Sequence, residues 1–343
     1  MTSKCSKVGM IGCGYFGAFQ LSAWKRMDDV ELIGIVEQSS DRRFQLELEN
    51  ANLKTVSAID DLLAIDEPNV IDIATPPHTH ASIIRSLLGK VPTIVCQKPF
   101  CTSMGDARAI VDEARMAGTK LIVHENFRFM PWYRAIKTII DSGKLGSVRQ
   151  ANFRFRPGDG AGADAYLARQ PYFRDMERFL VHETAIHWID TFRFLFGEPK
   201  TVYADLWREN SAIKGEDGGL IFFKFEDNLR VTFDGNRTLD HAADNHRLTM
   251  GELIIEGTRA SLHLNGFGEI FIRMRGETSN QKEDFTFQSI DFGGDCVFLT
   301  QRHIVDHLTK GLPLEIEASA YLTNLKIEDA IYQSAKMGKD VAV

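Results

Sequence analysis

Cysteine is scarce, and the five present, Cys5, Cys13, Cys96, Cys101 and Cys296, form no Cys-x-x-Cys pair. An odd count without paired spacing argues against a disulfide framework and suits a reduced, cytoplasmic protein. Positive charge is not in excess either: 40 Lys and Arg stand against 47 Asp and Glu, for a formal net charge of −7. Affinity for nucleic acid or for an anionic membrane surface needs clustered Lys and Arg, so neither is expected as a partner, and small molecules are. No apolar stretch approaches the ~20 residues that span a bilayer. Lys4 and Lys7 precede an apolar run from Val8 to Phe19, yet that run contains Gly9, Gly12, Gly14 and Gly17 and ends without an Ala-x-Ala-like site, so an export signal is not expected. Internal repeats and low-complexity tracts are also missing.

What the chain does have is an apolar strand, Lys7-Val8-Gly9-Met10-Ile11, running into Gly12-Cys13-Gly14-Tyr15-Phe16-Gly17. Each glycine has a steric task. Gly12 allows a tight turn off the strand, Gly14 lets a pyrophosphate approach bare backbone, and Gly17 lets the next helix sit close to the sheet. The pyrophosphate would then meet the free N–H groups of that helix. A second strand, Glu31 to Val36, ends in Glu37, about 20 positions beyond Gly17, where a ribose-binding carboxylate is expected. The pattern reads as a site for NAD, with Tyr15 and Phe16 in its loop. NADP is the alternative, because Ser39, Ser40, Arg42 and Arg43 follow closely and could accept a 2′-phosphate.

With 343 residues, 44% hydrophobic and 25% charged, the chain has room for about two domains. Up to about Phe127, strand-length apolar segments (through Ile11, Leu32 to Val36, Val70 to Ala74, Thr93 to Cys96, Leu121 to His124) alternate with helical spacing at Ser57 to Ile65, Thr79 to Leu88 and Ser103 to Ala117. Thr102 or Ser103 is the expected N-cap of the last of these. Alternating β and α implies a doubly wound parallel sheet, the Rossmann arrangement, whose ligands bind where strands end. Thr75-Pro76-Pro77 and Gln97-Lys98-Pro99 fall there. After Pro131 the rhythm changes. A helix from Trp132 to Asp141, a strand from Val148 to Phe155, a long irregular segment and a helix from about His182 to Phe196 lead into strands at 201–207, 219–225, 229–233, 253–256, 261–264 and 270–274. Strands in succession without crossover helices imply a large, mostly antiparallel open sheet. Two helices, about Cys296 to Lys310 and Ala318 to Gly338, close the chain. The expected division is thus α/β throughout, with a dinucleotide-binding domain over 1–127 and a substrate-binding domain over 128–343 whose last helices can pack back toward the first.

Oxidation of an alcohol by a nicotinamide needs a base for the hydroxyl proton and a cation or donor where negative charge develops. Lys98, at a strand end beside the nucleotide edge, is a candidate cation; an ordinary surface lysine is the competing reading. His187 is a candidate base because imidazole titrates near neutrality. On a helix Glu183, four residues earlier, and Asp190, three later, share its face, and either carboxylate could orient the ring. A packed core histidine is the alternative. Asn126, Arg128, Arg156, Tyr172, Arg174 and Asp190 are candidates to hold substrate hydroxyls or a carboxylate, arginine for its planar fork of donors. His182, His303 and His307 complete no ligand set of zinc spacing, so no metal is expected.

Taken in order, Gly12 to Gly17, Ala74-Thr75-Pro76-Pro77-His78-Thr79-His80, Gln97-Lys98-Pro99-Phe100, Asn126 to Pro131, Gly143-Lys144-Leu145-Gly146, the span Glu183 to Asp190, and Ala330 to Ala335 resemble the glucose-fructose oxidoreductase and inositol dehydrogenase (Gfo/Idh/MocA) family over nearly the full length. The resemblance implies an NAD(P) oxidoreductase acting on sugars, cyclitols, polyols or their acids, and homo-oligomers built through the C-terminal sheet. It implies that Lys98 matches the lysine of a Glu-Lys-Pro motif, that His187 is the proton acceptor of an Asp-x-x-x-His motif, and that Thr75, Pro77, Gln97 and His80 belong to the cofactor site. The chain departs from the pattern twice, with Gln97 for Glu and Glu183 for Asp. Two other activities on the same fold stay open at this point: NAD-dependent glycoside hydrolysis, and non-catalytic NAD-bound regulation.

Overall fold

The structure, a computed structural model, describes residues 6–343; Lys4 and Cys5 lie outside the described residues. The chain divides into two compact units, Met1–Asn126 with Val297–Thr323, and Phe127–Cys296 with Asn324–Val343. The chain passes from the first unit to the second after Asn126, and residues 297–323, from the closing helices, belong to the first.

The first unit is built on six parallel strands, β1 (Ser6–Ile11), β2 (Val30–Val36), β3 (Thr55–Val56), β4 (Val70–Ile73), β5 (Thr93–Gln97) and β6 (Lys120–His124), in the order β3-β2-β1-β4-β5-β6. The order reverses between β1 and β4, the switch point at which such sheets bind ligands. β4 and β5 are buried at every position, as strands covered on both faces must be. Between the strands run α1 (Gly17–Lys25), α2 (Ser40–Glu49), α3 (Ile59–Ile65), α4 (Pro77–Leu87) and α5 (Met104–Met116). The α5 cap is Ser103, whose hydroxyl accepts from the Asp106 N–H at 3.1 Å and donates to the Asp106 carboxylate at 2.8 Å. Such a cap stabilises a helix by about 1 kcal/mol. α2 was not expected from the sequence. It buries only Leu46, too little apolar surface to leave a periodic pattern. The two-residue β3 is too short to show alternation.

The second unit opens with α6 (Pro131–Asp141) and β7 (Val148–Phe155) and carries the helix α7 (Ile186–Phe196). Its sheet adds β8 (Thr201–Trp207), β9 (Gly218–Lys224), β10 (Arg230–Asn236), β11 (Gly251–Gly257), β12 (Ala260–Leu264), β13 (Ile270–Met274) and β14 (Gln281–Lys282). After α8 (Phe292–Lys310) and α9 (Ala318–Met337), β15 (Val341–Ala342) pairs with β8 at one edge. The strands pair antiparallel within the blocks β14-β13-β12-β11-β7 and β10-β9-β8-β15, while β7 and β10 run parallel where those two blocks meet. At Gly251 the backbone has φ +151°, and a Cβ would lie 1.9 Å from the Arg154 carbonyl oxygen, so only glycine fits beside β7. α7 is fixed to the inner face by Trp188, fully buried among Phe127, Phe153, Phe155 and Phe233 with ring centroids 4.6–5.6 Å away. Its indole N–H donates to the Tyr133 hydroxyl at 3.1 Å.

Candidate functional site

In the first unit the expected nucleotide-binding residues gather at the carboxyl ends of β1, β2, β4 and β5. Gly12 has φ +83°, and a Cβ there would lie 2.8 Å from the Thr75 side chain and 2.9 Å from the Ala74 carbonyl oxygen. A Cβ on Gly14 would meet nothing within 4 Å, so the space over its backbone is open, as approach of a pyrophosphate requires. α1 begins at Gly17, directly after this loop, with its N-terminus at the same edge. The loop therefore fits a dinucleotide. Glu37 follows β2, and its carboxylate accepts the Ser39 N–H at 3.1 Å. The Arg42 guanidinium donates to the Cys13 carbonyl at 3.3 and 3.4 Å, and Arg43 donates to the carbonyls of Glu37 and Gln38 at 2.7 and 2.9 Å. Both arginines are thus engaged by backbone oxygens.

Thr75 and Thr79 pair through their hydroxyls at 2.7 Å at the start of α4, with Pro77 as its first residue. His80, expected to line the cofactor, is instead fully buried. Its ring nitrogens lie 2.9 Å from the Thr75 carbonyl and 3.2 Å from the Phe100 carbonyl, and burial pushes its pKa down. It braces the loops after β4 and β5 from behind. Gln97 ends β5, buried, and its Oε1 accepts the Lys98 N–H at 2.7 Å. Lys98 stands at that strand end, half-buried.

In the second unit the sequence suggests one helix from His182, with Glu183, His187 and Asp190 on a common face. The chain forms a π-helical turn over Leu180–Ala185 before α7 starts at Ile186, so the offset between Glu183 and His187 is not that of a regular α-helix. π-turns of this kind collect at functional sites. The His187 ring is 4% exposed and stacks flat on Phe127, centroids 3.8 Å apart and planes within 5°. Glu183 accepts a short hydrogen bond from the Thr184 hydroxyl, which itself accepts from Arg237 Nη1 at 2.6 Å; Arg237 Nη1 lies 3.8 Å from the Glu183 carboxylate.

Arg237 was not identified from the sequence. It is 3% exposed, enclosed by the rings of Phe179, Tyr166, Phe155 and Phe173 at 4.5–5.7 Å, and it donates to the Tyr166 hydroxyl at 2.6 Å and to Asp159 at 3.1 Å. Burial alone would raise the Asp159 carboxyl, but the charges of Arg237 and Arg169 hold it below the usual carboxylate range. The long irregular segment before Leu180 is therefore folded around one buried guanidinium. Nothing local announces this, because the partners lie 53 to 78 residues from Arg237.

Several expected substrate residues have internal partners instead. Arg128 and Asp190 form a buried two-pronged ion pair at 2.6 Å through each arm, and Asn324 donates to the same carboxylate at 2.8 Å. Arg156 donates to the Asp234 carboxylate at 2.7 Å and to its carbonyl at 2.6 Å, buried at the end of β7. These two guanidiniums hold the fold. Arg174 is half-buried and donates to the Ala212 carbonyl at 3.2 Å; Tyr172 is 57% exposed, its hydroxyl accepting from Gln170. Asn126 is buried at the end of the first unit. Among the described residues no three His, Cys, Asp or Glu side chains converge to hold a metal ion.

A model described as an oxidoreductase family with NAD-binding Rossmann fold (Gfo/Idh/MocA) matches residues 6–125, and a Gfo/Idh/MocA C-terminal domain model matches residues 133–263. A D-apiose dehydrogenase of Paraburkholderia graminis is 29% identical over 99% of this chain and 90% of its own, and one of Rhizobium rhizogenes is 28% identical over 98% and 97%. The crystal structure of an oxidoreductase from Agrobacterium radiobacter in complex with NAD+, L-tartaric acid and magnesium superimposes with a TM-score of 0.87 at 26% identity, covering 98% of both chains. The chain belongs to the Gfo/Idh/MocA oxidoreductase family, with its NAD-binding Rossmann fold in the first unit.

Proposed function

We propose that this protein oxidises a secondary alcohol of a sugar, cyclitol, polyol or sugar acid, or reduces the matching ketone, with His187 taking the hydroxyl proton, Glu183 orienting the imidazole and Lys98 steadying the oxygen. The observation that carries the reading is the order of groups along one sheet edge. The glycine loop after β1, Thr75 after β4 and Lys98 after β5 stand on three adjacent strands, so a cation lies on the line a dinucleotide would follow from its pyrophosphate. Bound NAD supplies the hydride acceptor. The chain supplies what a nicotinamide lacks. A buried imidazole next to a π-turn that carries a carboxylate can accept a proton, and an ammonium near the oxygen offsets the charge that develops there. The two relatives named as D-apiose dehydrogenases support a sugar-like substrate.

NAD is favoured over NADP, because Glu37 would repel a 2′-phosphate while Arg42 and Arg43 are engaged by backbone carbonyls. A second copy of the chain is the expected partner. On the outer face of the large sheet the pairing register sets Tyr203, Phe222, Thr232, Asn152, Ile254, His263 and Phe271 in one continuous row. Phe222 and Ile254 in that row are 41% and 42% exposed, apolar side chains that a second copy could cover. The four described cysteines are buried thiols, which suits a reducing cytoplasm.

The test is a screen for NADH formation with a panel of sugars, cyclitols and aldonic acids, repeated with His187→Ala and Lys98→Ala. Each variant is expected to lose roughly 10²- to 10⁴-fold in turnover on a substrate the wild type uses. Full turnover by both would overturn the assignment of roles. Release of sugar from an aryl glycoside without net NADH would replace oxidation by glycoside cleavage.

A further inference from the structure

One buried ionisable group has no part in the chemistry above. Asp72, on β4, is fully buried in the first unit, beneath the strand ends that carry the candidate site. Its carboxylate receives three side-chain donors: Gln20 Nε2 at 2.8 and 3.0 Å and Trp24 Nε1 at 2.7 Å, both from α1, and Gln301 Nε2 at 3.5 Å from α8. A titratable neighbour is the Cys96 thiol on β5, itself pushed up by burial, with the Asp72 charge adding to the shift. A core carboxylate held by three neutral donors is costly to keep, and hydrophobic residues of equal volume are the usual occupants of such strands.

The bonds have a direction. Lys98 N–H donates to Gln97 Oε1 at 2.7 Å, Gln97 Nε2 donates to Gln20 Oε1 at 3.4 Å, and Gln20 Nε2 donates to Asp72. An ionised carboxylate only accepts, so it makes Gln20 turn its NH₂ downward and its oxygen toward Gln97. Gln97 must then turn its NH₂ to Gln20 and its oxygen to the Lys98 peptide. The Lys98 N–H, which only donates, and the carboxylate, which only accepts, require the same orientation of both amides, so the two ends of the chain agree on one arrangement.

We propose that Asp72 is a positioning residue for Lys98, the acceptor that ends a two-amide chain and thereby fixes the strand end on which the lysine is carried. The proposal rests on the reading of Lys98 as the cation at the reacting alcohol. Burial pushes the Asp72 carboxyl up to about 7, so the acceptor-only form, and with it the set orientation, holds above neutrality.

The experiment compares the wild type with Asp72→Asn, Gln20→Met, the double variant Asp72→Asn with Gln97→Glu, and Lys98→Ala at pH 8. Three quantities are read: hydrogen exchange of the Lys98 amide relative to amides of β1, kcat on the best substrate of the sugar panel, and the Kd of NAD. Asp72→Asn is expected to speed exchange at Lys98 about tenfold relative to β1 and to lower kcat roughly 10- to 100-fold, with NAD affinity within about twofold. Gln20→Met cuts the chain while leaving Asp72 with Trp24 and Gln301, and it should act alike if the first variant does not fold. In the double variant the chain can reverse: the new amide at position 72 donates to Gln20, Gln20 donates to a carboxylate at position 97, and that carboxylate accepts from the Lys98 N–H. Exchange and kcat should both recover, which a loss of packing alone would not allow. Wild-type exchange and kcat in Asp72→Asn, or no recovery in a folded double variant, would overturn the proposal. Retained turnover in Lys98→Ala would instead overturn the catalytic reading, while the exchange result would still decide the hydrogen-bond chain.

Discussion

The buried carboxylate of Asp72 makes stability depend on pH in an unusual sense. Its folded-state pKa, raised to about 7 by burial against the pull of Trp24, Gln20 and Gln301, lies above the ordinary value of 3.8. Between about pH 4 and pH 7 the folded chain therefore holds a proton that the unfolded chain has lost, so this group's contribution falls as pH rises and levels off above neutrality. The whole effect is at most about 4 kcal/mol. Urea unfolding at pH 5 and pH 8 should show a larger loss of stability in the wild type than in Asp72→Asn; equal losses would contradict the shift. Asp72 itself is invisible in the sequence. Its partners lie 52, 48 and 229 positions away, and an aspartate in Val70-Ile71-Asp72-Ile73 reads only as an interruption of an apolar strand. The turn at Gly12, the open backbone at Gly14 and the place of Glu37 after β2 are legible because each is a local feature of the sequence. Arg128, Arg156 and His80 misled for the opposite reason, since residue type suggests a ligand while burial is decided by partners elsewhere in the chain.

At the scale of elements, what holds α7 and the π-turn sets the positions of Glu183 and His187, the pair proposed to act on substrate. Trp188 secures the helix from one side, and Trp188→Ala should cost about 3–5 kcal/mol in chemical denaturation. Arg237 secures the turn from the other. Arg237→Met would leave Asp159 without its main cation and Tyr166 without its donor, a loss of roughly 3 kcal/mol. Limited proteolysis of that variant should cut first between residues 156 and 179; a wild-type pattern would show that the segment is held by other means. Alternation of strand and helix made the first unit readable, and strand after strand made the second readable. The π-turn was not, because its sequence continues the apolar spacing of the helix behind it, and the parallel β7–β10 pair was not, because order along a chain does not state order in a sheet.

For the whole molecule, the assembly proposed through the outer row of Phe222 and Ile254 is open to a direct test. Light scattering should find the wild type larger than one chain, and Ile254→Lys with Phe222→Lys should give a monomer, because two buried ammonium groups cannot be desolvated cheaply. A monomeric wild type would contradict the proposed interface. The change of rhythm after Pro131 falls near one boundary between the units, whereas the points at 297 and 323 where the chain crosses again have no compositional mark. In the proposed dehydrogenase a dinucleotide loop, an ammonium and an imidazole of one chain act together on the alcohol of a sugar-like substrate. The most direct measurement of this is NADH formation, followed by absorbance on the best alcohol of the panel, by wild type, Lys98→Ala and His187→Ala with NAD saturating. Turnover in the wild type with a loss of about two orders of magnitude or more in each variant is the expected result; undiminished turnover in both variants would contradict it.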